Sequence, residues 1–469
     1  MKVKIGLETH VQLNSLSKIF CGCKNGVNLK EEPEPNSLVC DTCLGMPGSK
    51  PRVNQKVIEL ATKVAVALNC KIAPEMFFSR KTYFYPDMSK NFQITQYEIP
   101  LASEGHLEIN VNGKSKKIRI RRIHIEEDPA KVIHVGGLGG KYTLIDYNRA
   151  GTPLIEIVTE PDFESPQEAR VYLAKLTMIT EYLGVYDPTS QAVLKSDANI
   201  SLEGGNKVEV KNITGTKEVE EALNFEIIRQ KSLVTRGVQV RQETRAWNPD
   251  IGSTQEMRGK EAEAEYGYIF EPDLPKFTVQ KAIAERMKKE LPELPDQKYQ
   301  RFINSYKLSE AVAESLVSEI DTADLFEHAA KQIDPKIAGS FIAGDLKKTL
   351  NWNNLRFKQS GLQKEWIVDL LKLFAGGKIT DRNAELAIRK MVEEKKSAVD
   401  IIKKHNLEKT KVDLDSVLKK VLESNQKPVE DYKKGEKKAL EFLVGQVMKE
   451  TRGQVDATEI RKHLSKLLN

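Results

Sequence analysis

The sequence predicts an α+β protein: a mixed, β-rich domain over residues 1–292, an all-α connector over 293–400 and a small all-α tail over 401–469. Strand-type alternation recurs from Val3 as far as Arg245. A composition break at Glu290-Leu-Pro-Glu-Leu-Pro-Asp296 then ends it, and helical periodicity runs from there to the last residue. The 469 residues are enough for several cores, and 40% hydrophobic with 30% charged content fits a globular chain rather than a disordered or membrane one.

The first strand organises the rest. Over residues 3–13, Val3, Ile5, Leu7, Thr9 and Val11 share one face, and Gly6, Glu8, His10 and Gln12 the other. Same-face neighbours on a strand stand about 6.6 Å apart, so Glu8 and His10 can hold one ion or ligand between them. A polar outer face on an edge strand is the competing reading.

Four of the five cysteines form Cys21-x-Cys23 and, after sixteen residues, Cys40-x-x-Cys43. Two short-spaced pairs across a Pro-, Glu- and Asn-rich loop match a tetrahedral four-cysteine zinc site. The chain is expected to be cytoplasmic, where disulfides are disfavoured, which makes structural zinc the better assignment for loop 21–43. Cys70 reads as a core residue. Residues 54–70 show helical spacing at Val57, Leu60, Ala61, Val64 and Leu68. Between Phe77 and Gln93, aromatics including Tyr83 and Tyr85 alternate with Arg80, Lys81 and Lys90. This is either a cationic surface hairpin or a platform that stacks a ring beside phosphate oxygens.

Strands are expected at 107–111, 117–126, 142–147 and 153–159, with Asn112-Gly113 as a hairpin turn. Glu156 stands inside an apolar run, where a carboxylate is costly unless paired or ligating. Glu126, Glu127 and Asp128 precede Pro129, and a bulge would decide which of the two glutamates faces the site. The Gly136–Gly140 run lacks phosphate-loop spacing and reads as a hairpin turn. A helix is expected at 166–183 and strands at 192–202 and 207–213, the former carrying Lys195, Asp197, Asn199 and Ser201 on one face. A helix over 219–233 and a polar strand from Val238 to Arg245 follow, with Arg241 and Arg245 read as solvated.

Helices are then expected at 308–320, 337–352, 362–374, 383–391 and 435–452, and a last one starts from a capping-box-like Asp456-Ala-Thr-Glu459. From Ile401 onward there are 16 Lys/Arg against 11 Asp/Glu, so this tail holds nearly all of the net charge of +6. A basic tail suits nucleic acid, although a solvated lysine surface gives the same pattern. No apolar run approaches the roughly 20 residues that cross a bilayer, and the first strand leaves no room for a leader after Met1.

The motifs Ile5-Gly-Leu-Glu8-Thr-His10-Val, Tyr83-Phe-Tyr85-Pro-Asp87, His124-Ile-Glu126-Glu127-Asp128, Asp146-Tyr-Asn148-Arg149-Ala-Gly151-Thr-Pro153-Leu-Ile-Glu156, Ser196-Asp197-Ala-Asn199 and Val444-Gly445-Gln446-Val-Met448-Lys stand in one order across the whole length. Together they resemble the B-subunit family of aspartyl/glutamyl-tRNA(Asn/Gln) amidotransferases (GatB/GatE, GatB type). The chain departs from that pattern at Asn212–Val219, Gly267 and Phe270.

The resemblance implies a β-rich catalytic cradle. It also implies ATP-dependent phosphorylation of the side-chain carboxylate of Asp-tRNA(Asn) or Glu-tRNA(Gln), followed by amidation with ammonia. A partner amidase A subunit would supply the ammonia and a small C subunit would wrap the pair. In this reading Glu8, His10, Glu127 and Glu156 are catalytic and hold magnesium. Lys81, Lys90, Tyr83, Tyr85, Asp197 and Asn199 bind ATP and its phosphates, and Cys21, Cys23, Cys40 and Cys43 hold structural zinc. Lys433, Lys434, Lys437 and Lys438 would contact tRNA. The alternative is a non-catalytic, zinc-stabilised tRNA-binding scaffold.

Overall fold

The computed structural model describes residues 1–136, 142–257, 267–278, 281–409, 414–433, 436–451, 455 and 457–468. The chain forms two compact units, Met1–Leu294 and Pro295–Asn469. The first is built on a nine-stranded sheet. Its strands are β1 (Val3–Gln12), β2 (Lys71–Ile72), β3 (Ala102–Val111), β4 (Lys114–Glu127), β5 (Pro153–Thr159), β6 (Leu194–Leu202), β7 (Val208–Thr214), β8 (Glu243–Asn248) and β9 (Ser253–Glu256). They lie in the order β9-β8-β7-β6-β1-β5-β4-β3-β2, so the first strand of the chain is also the centre of the sheet.

Neighbours are antiparallel except β7 and β8, which pair in parallel. A parallel pair needs a crossover, and the helix Thr216–Thr235 supplies it. Ile5, Leu7, Thr9 and Val11 of β1 are fully buried. Ile5, Leu7 and Val11 share one core with Ile123, Ile125, Ile155, Ile157, Ala198 and Ile200 of the neighbouring strands. The helices Gln55–Ala67 and Pro166–Tyr182 add Val57, Leu60, Leu173 and Leu176 to that core. Asn54 and Ser165 cap these two helices with side-chain oxygens. Each buried Ile or Leu contributes roughly 1.5–3 kcal/mol, so this face holds the sheet and frees the other for polar groups.

A three-stranded sheet, Gly267–Phe270, Ser79–Thr82 and Phe92–Thr95, carries the aromatic and cationic stretch. The expected hairpin at Asn112-Gly113 is present, with both residues at positive φ. The turn expected over Gly136–Gly140 lies outside the described residues apart from Gly136; on either side of it Lys131–Val135 and Tyr142–Asp146 pair antiparallel.

The strand expected to end at Arg245 instead starts at Glu243. Arg245 is not a solvated arginine. Its guanidinium donates to Thr254 and Glu243, with the fully buried Glu226 at 3.8 Å. The sequence hides this because Glu226 comes from the crossover helix, remote in the chain.

Every regular element of the second unit among its described residues is a helix. One core runs from Phe302 to Leu407 and another from Leu418 to Leu464. The single helix expected over 337–352 is broken into Pro335–Phe341, a π-helical turn Ile342–Leu346 and Lys347–Trp352. The last helix covers Ala457–Leu468, and its expected cap Asp456 lies outside the described residues.

Strand β3 passes close to the end of the first long helix at Gly105. A Cβ there would lie 2.1 Å from Cys70 Sγ and 2.7 Å from the Leu68 carbonyl oxygen. Gly105→Ala is expected to lower stability by about 1–3 kcal/mol, read as an earlier urea midpoint with an unchanged slope.

Candidate functional site

The polar face of β1 and its neighbours gathers charge from strands distant in sequence. His10 lies opposite Glu156 of β5 and Lys195 of β6, and Glu8 lies opposite Asp197. Glu156 lies in turn opposite His124 of β4. Strand pairing therefore delivers imidazoles and carboxylates to one patch.

His10 Nε2 lies 3.2 Å from Glu156 Oε2 and 3.9 Å from Glu126 Oε1. His124 Nε2 lies 3.2 Å from Glu156 Oε2 and 3.6 Å from Glu126 Oε2. Two imidazoles and two carboxylates thus alternate around a closed ring. Thr95 Oγ1 also donates to Glu126 Oε2 at 3.1 Å. Burial opposes charge on all four, yet their mutual attraction outweighs it. The imidazoles hold Glu156 well below the usual carboxylate range and Glu126 below it as well. The carboxylates raise His10 to about 10 and His124 to about 9.

Ligand atoms of His10, Glu126 and Glu156 all lie within 4.8 Å of one another. His10 keeps 28% of its side chain exposed whereas His124 keeps 6%, so the ring opens to solvent on the His10 side. One nitrogen and two carboxylate donors with an open side fit a divalent ion that retains water.

A second group adjoins it. Asn199 Nδ2 donates to Glu8 Oε1 at 2.9 Å, and Lys211 Nζ lies 3.4 Å from Asp197 Oδ2 and 2.9 Å from Glu209 Oε1. Burial raises the Glu8 carboxyl, and Glu156, Glu209 and Asp197 push it further the same way. The ladder between β6 and β7 shifts register beside Asp197, where Asn212 takes a φ of +64° and donates its N–H to Asp197 Oδ1.

The loop after β1 brings together Cys21, Cys23, Cys40 and Cys43, whose sulfurs lie within 4.8 Å of one another. Four thiols at that spacing fit a tetrahedral metal such as zinc. The Cys40 backbone N–H donates to Cys43 Sγ at 3.1 Å. A hydrogen bond from Cys21 pulls the Cys43 thiol below its ordinary range, and Lys18 acts in the same direction. The short helix Asp41–Leu44 ends on Gly45 at φ +71°, where a Cβ would lie 2.5 Å from Lys90 Cγ.

Of the residues expected at the site, Glu8, His10, Glu156, Asp197 and Asn199 share this polar face. Glu127 does not. Register between β4 and β5 is regular from Glu127 to Arg122, so Glu126 joins His124 and Glu156, and Glu127 points the other way. There it accepts from the Ile94 N–H and from Lys90 Nζ. Lys90 is thereby committed to an internal ion pair, with 11% of its side chain exposed. Lys81 lies on the three-stranded sheet, while Tyr83 and the half-exposed Tyr85 lie in the turn after it.

Lys433 and Lys438 are exposed, and Lys434 and the side chain of Lys437 lie outside the described residues. His124, Glu209 and Lys211 were not expected at the site. The i, i+2 spacing of His124 and Glu126 repeats that of Glu8 and His10, and it is the signal that could have found the first of them.

A wide sheet that gathers imidazoles and carboxylates on its polar face, with a four-cysteine loop that could hold a metal and helical modules after it, defines an α+β protein with two candidate metal-binding groups. Comparison with known proteins supplies the family. Residues 3–285 match the GatB/GatE catalytic domain, and residues 324–468 match the GatB domain. The chain belongs to the GatB/GatE family. It is 45% identical to the B subunit of the aspartyl/glutamyl-tRNA(Asn/Gln) amidotransferase of Methanoregula boonei, over 98% of this chain and 97% of that one. The corresponding subunits of Methanococcoides burtonii and Moorella thermoacetica are each 42% identical, over 98% and 97%, and 99% and 99%, of the paired chains.

The ring of charges predicts a pH dependence for the cation-free chain. His10 and His124 have folded-state values raised above the ordinary 6.5, to about 10 and about 9. The stability they contribute is complete below pH of about 6.5 and is lost as pH rises through 9 and 10. Melting in excess chelator should therefore move to lower temperature between pH 7 and 10. His10→Gln combined with His124→Gln should flatten that trend.

Proposed function

We propose that the chain uses ATP to activate the side-chain carboxylate of Asp or Glu misattached to tRNA(Asn) or tRNA(Gln), and then amidates it with ammonia from a partner amidase subunit. Membership of the GatB/GatE family carries the transamidase role. The single observation that supports the phosphorylation chemistry is the convergence of His10, Glu126 and Glu156 on one point. A carboxylate resists ammonia because oxide is a poor leaving group. Transfer of the γ-phosphoryl group to the carboxylate oxygen, with ADP departing, creates a good one. Ammonia then attacks the carbonyl carbon, phosphate leaves and a proton is lost.

Phosphoryl transfer chiefly requires positioning and charge neutralisation. Magnesium held by His10, Glu126 and Glu156 would supply the neutralisation when bound. Glu8, Asp197 and Asn199 line the same face and fit the nucleotide side of the site. Lys81, Tyr83 and Tyr85 remain candidates for the nucleotide base and phosphates. Lys90 is less suited, because Glu127 already engages its ammonium. Zinc in the four-cysteine loop is structural in this reading. A third, small subunit, tRNA docking on the basic tail from residue 401 and a cytoplasmic setting complete it. Among the described residues no helix is long and apolar enough to cross a membrane.

His10→Ala and Glu126→Ala should each cut ATP-dependent amidation of misacylated tRNA at least 100-fold while tRNA binding persists. Glu127→Ala should leave divalent-cation affinity within about threefold, because its side chain faces away from the ring. Substrate-dependent release of phosphate from ATP is the decisive assay. None at all, with tRNA binding intact, would leave the chain a scaffold. Removal of residues after Lys404 should weaken tRNA binding and flatten its salt dependence.

A further inference from the structure

The tetrathiolate loop contains a charged group that neither the cation ring nor the sulfur cluster requires as a ligand. Lys18 is fully buried. Taking an ammonium out of water is expensive unless an opposite charge compensates it. Among the described residues Lys18 makes no ion pair with a carboxylate. Its Nζ donates to Cys43 Sγ at 3.8 Å and to the Tyr147 carbonyl at 3.4 Å. The position is fixed from both sides. Lys18 N–H donates to the Cys23 carbonyl at 2.9 Å, and Ile19 N–H to the Gly151 carbonyl at 3.0 Å. Gly151, at φ +82°, lies under the lysine stem, where a Cβ would come 3.4 Å from Lys18 Cδ.

We propose that Lys18 is the resident counter-charge of the Cys21–Cys23–Cys40–Cys43 site, matched to four thiolates around a divalent metal. This rests on the metal occupancy given above. Four thiolates on a divalent ion carry two net negative charges, whereas four thiols, or two disulfides, carry none. A buried ammonium beside Cys43 therefore stabilises the metal-bound form and disfavours the neutral ones. The same N–H···S contact withdraws electron density from Cys43, which lowers the nucleophilicity of this sulfur while it is metal-bound.

The test uses the full chain, with zinc content measured on purification and zinc release followed under excess chelator. Lys18→Met keeps the volume and removes the charge, and Lys18→Gln removes the charge but keeps a donor. Both variants should release zinc about tenfold faster or more. With zinc bound, alkylation of Cys43 by iodoacetamide, followed by peptide mapping, should be faster in Lys18→Met than in the unsubstituted chain. Zinc release from Lys18→Met at the rate of the unsubstituted chain overturns the proposal. So does tight retention by Lys18→Gln alone, which would make the hydrogen bond rather than the charge responsible. Should Lys18→Met fail to fold, Lys18→Gln alone decides between these outcomes. A purified chain without zinc would instead overturn the occupancy reading, and this inference with it.

Discussion

One constraint governs the catalytic unit: a β-strand cannot turn the same residue to both faces. Because Ile5, Leu7 and Val11 must be dry, Glu8 and His10 must face the opposite side. Because β1 is central, both of its neighbours must bring partners there. Antiparallel register then sets Glu156 beside His10 on one flank and Asp197 beside Glu8 on the other. Sliding any of these strands by one residue would send its ionisable groups into the core, where they are most costly. The hydrophobic face therefore enforces the register on which the chemistry depends.

The polar face has its own requirement, that partly buried charges come in compensating sets. The ring of His10, Glu156, His124 and Glu126 meets it with two imidazoles and two carboxylates. The Glu8, Asp197 and Glu209 carboxylates meet it in part through Lys211. In the ring, each carboxylate stands between two imidazoles, so the groups compensate one another directly. Their arrangement is set by strand pairing and needs no further group to hold it on the sheet.

Much of this was legible in the chain itself. Alternation marked β1, β4 and β6, the cysteine spacing marked the loop, and β5 stood out as an apolar run interrupted by the Glu156 carboxylate. What the sequence could not give were relations between remote segments. The choice between Glu126 and Glu127 depends on whether β4 runs without a bulge beside β5, which neither segment records alone. Lys211 reaches Asp197 beside a local register shift. Lys90 looks like a free cation until the chain folds Glu127 against it. Arg245 looked solvated because its buried partner Glu226 arrives on a helix. In each case a long-range pairing decided the outcome.

The short helix of the sulfur loop ends on a glycine pressed against the stem of Lys90, and Ser89 beside it donates to the Cys43 carbonyl. The ammonium of Lys90 grips Glu127, the residue directly after Glu126. Sulfur loop, lysine and the end of β4 are thus linked through one side chain, so the compensation of the buried Glu127 depends on a residue that packs on the loop. Loss of the loop would be felt first at that ion pair, on the face of β4 turned away from the ring.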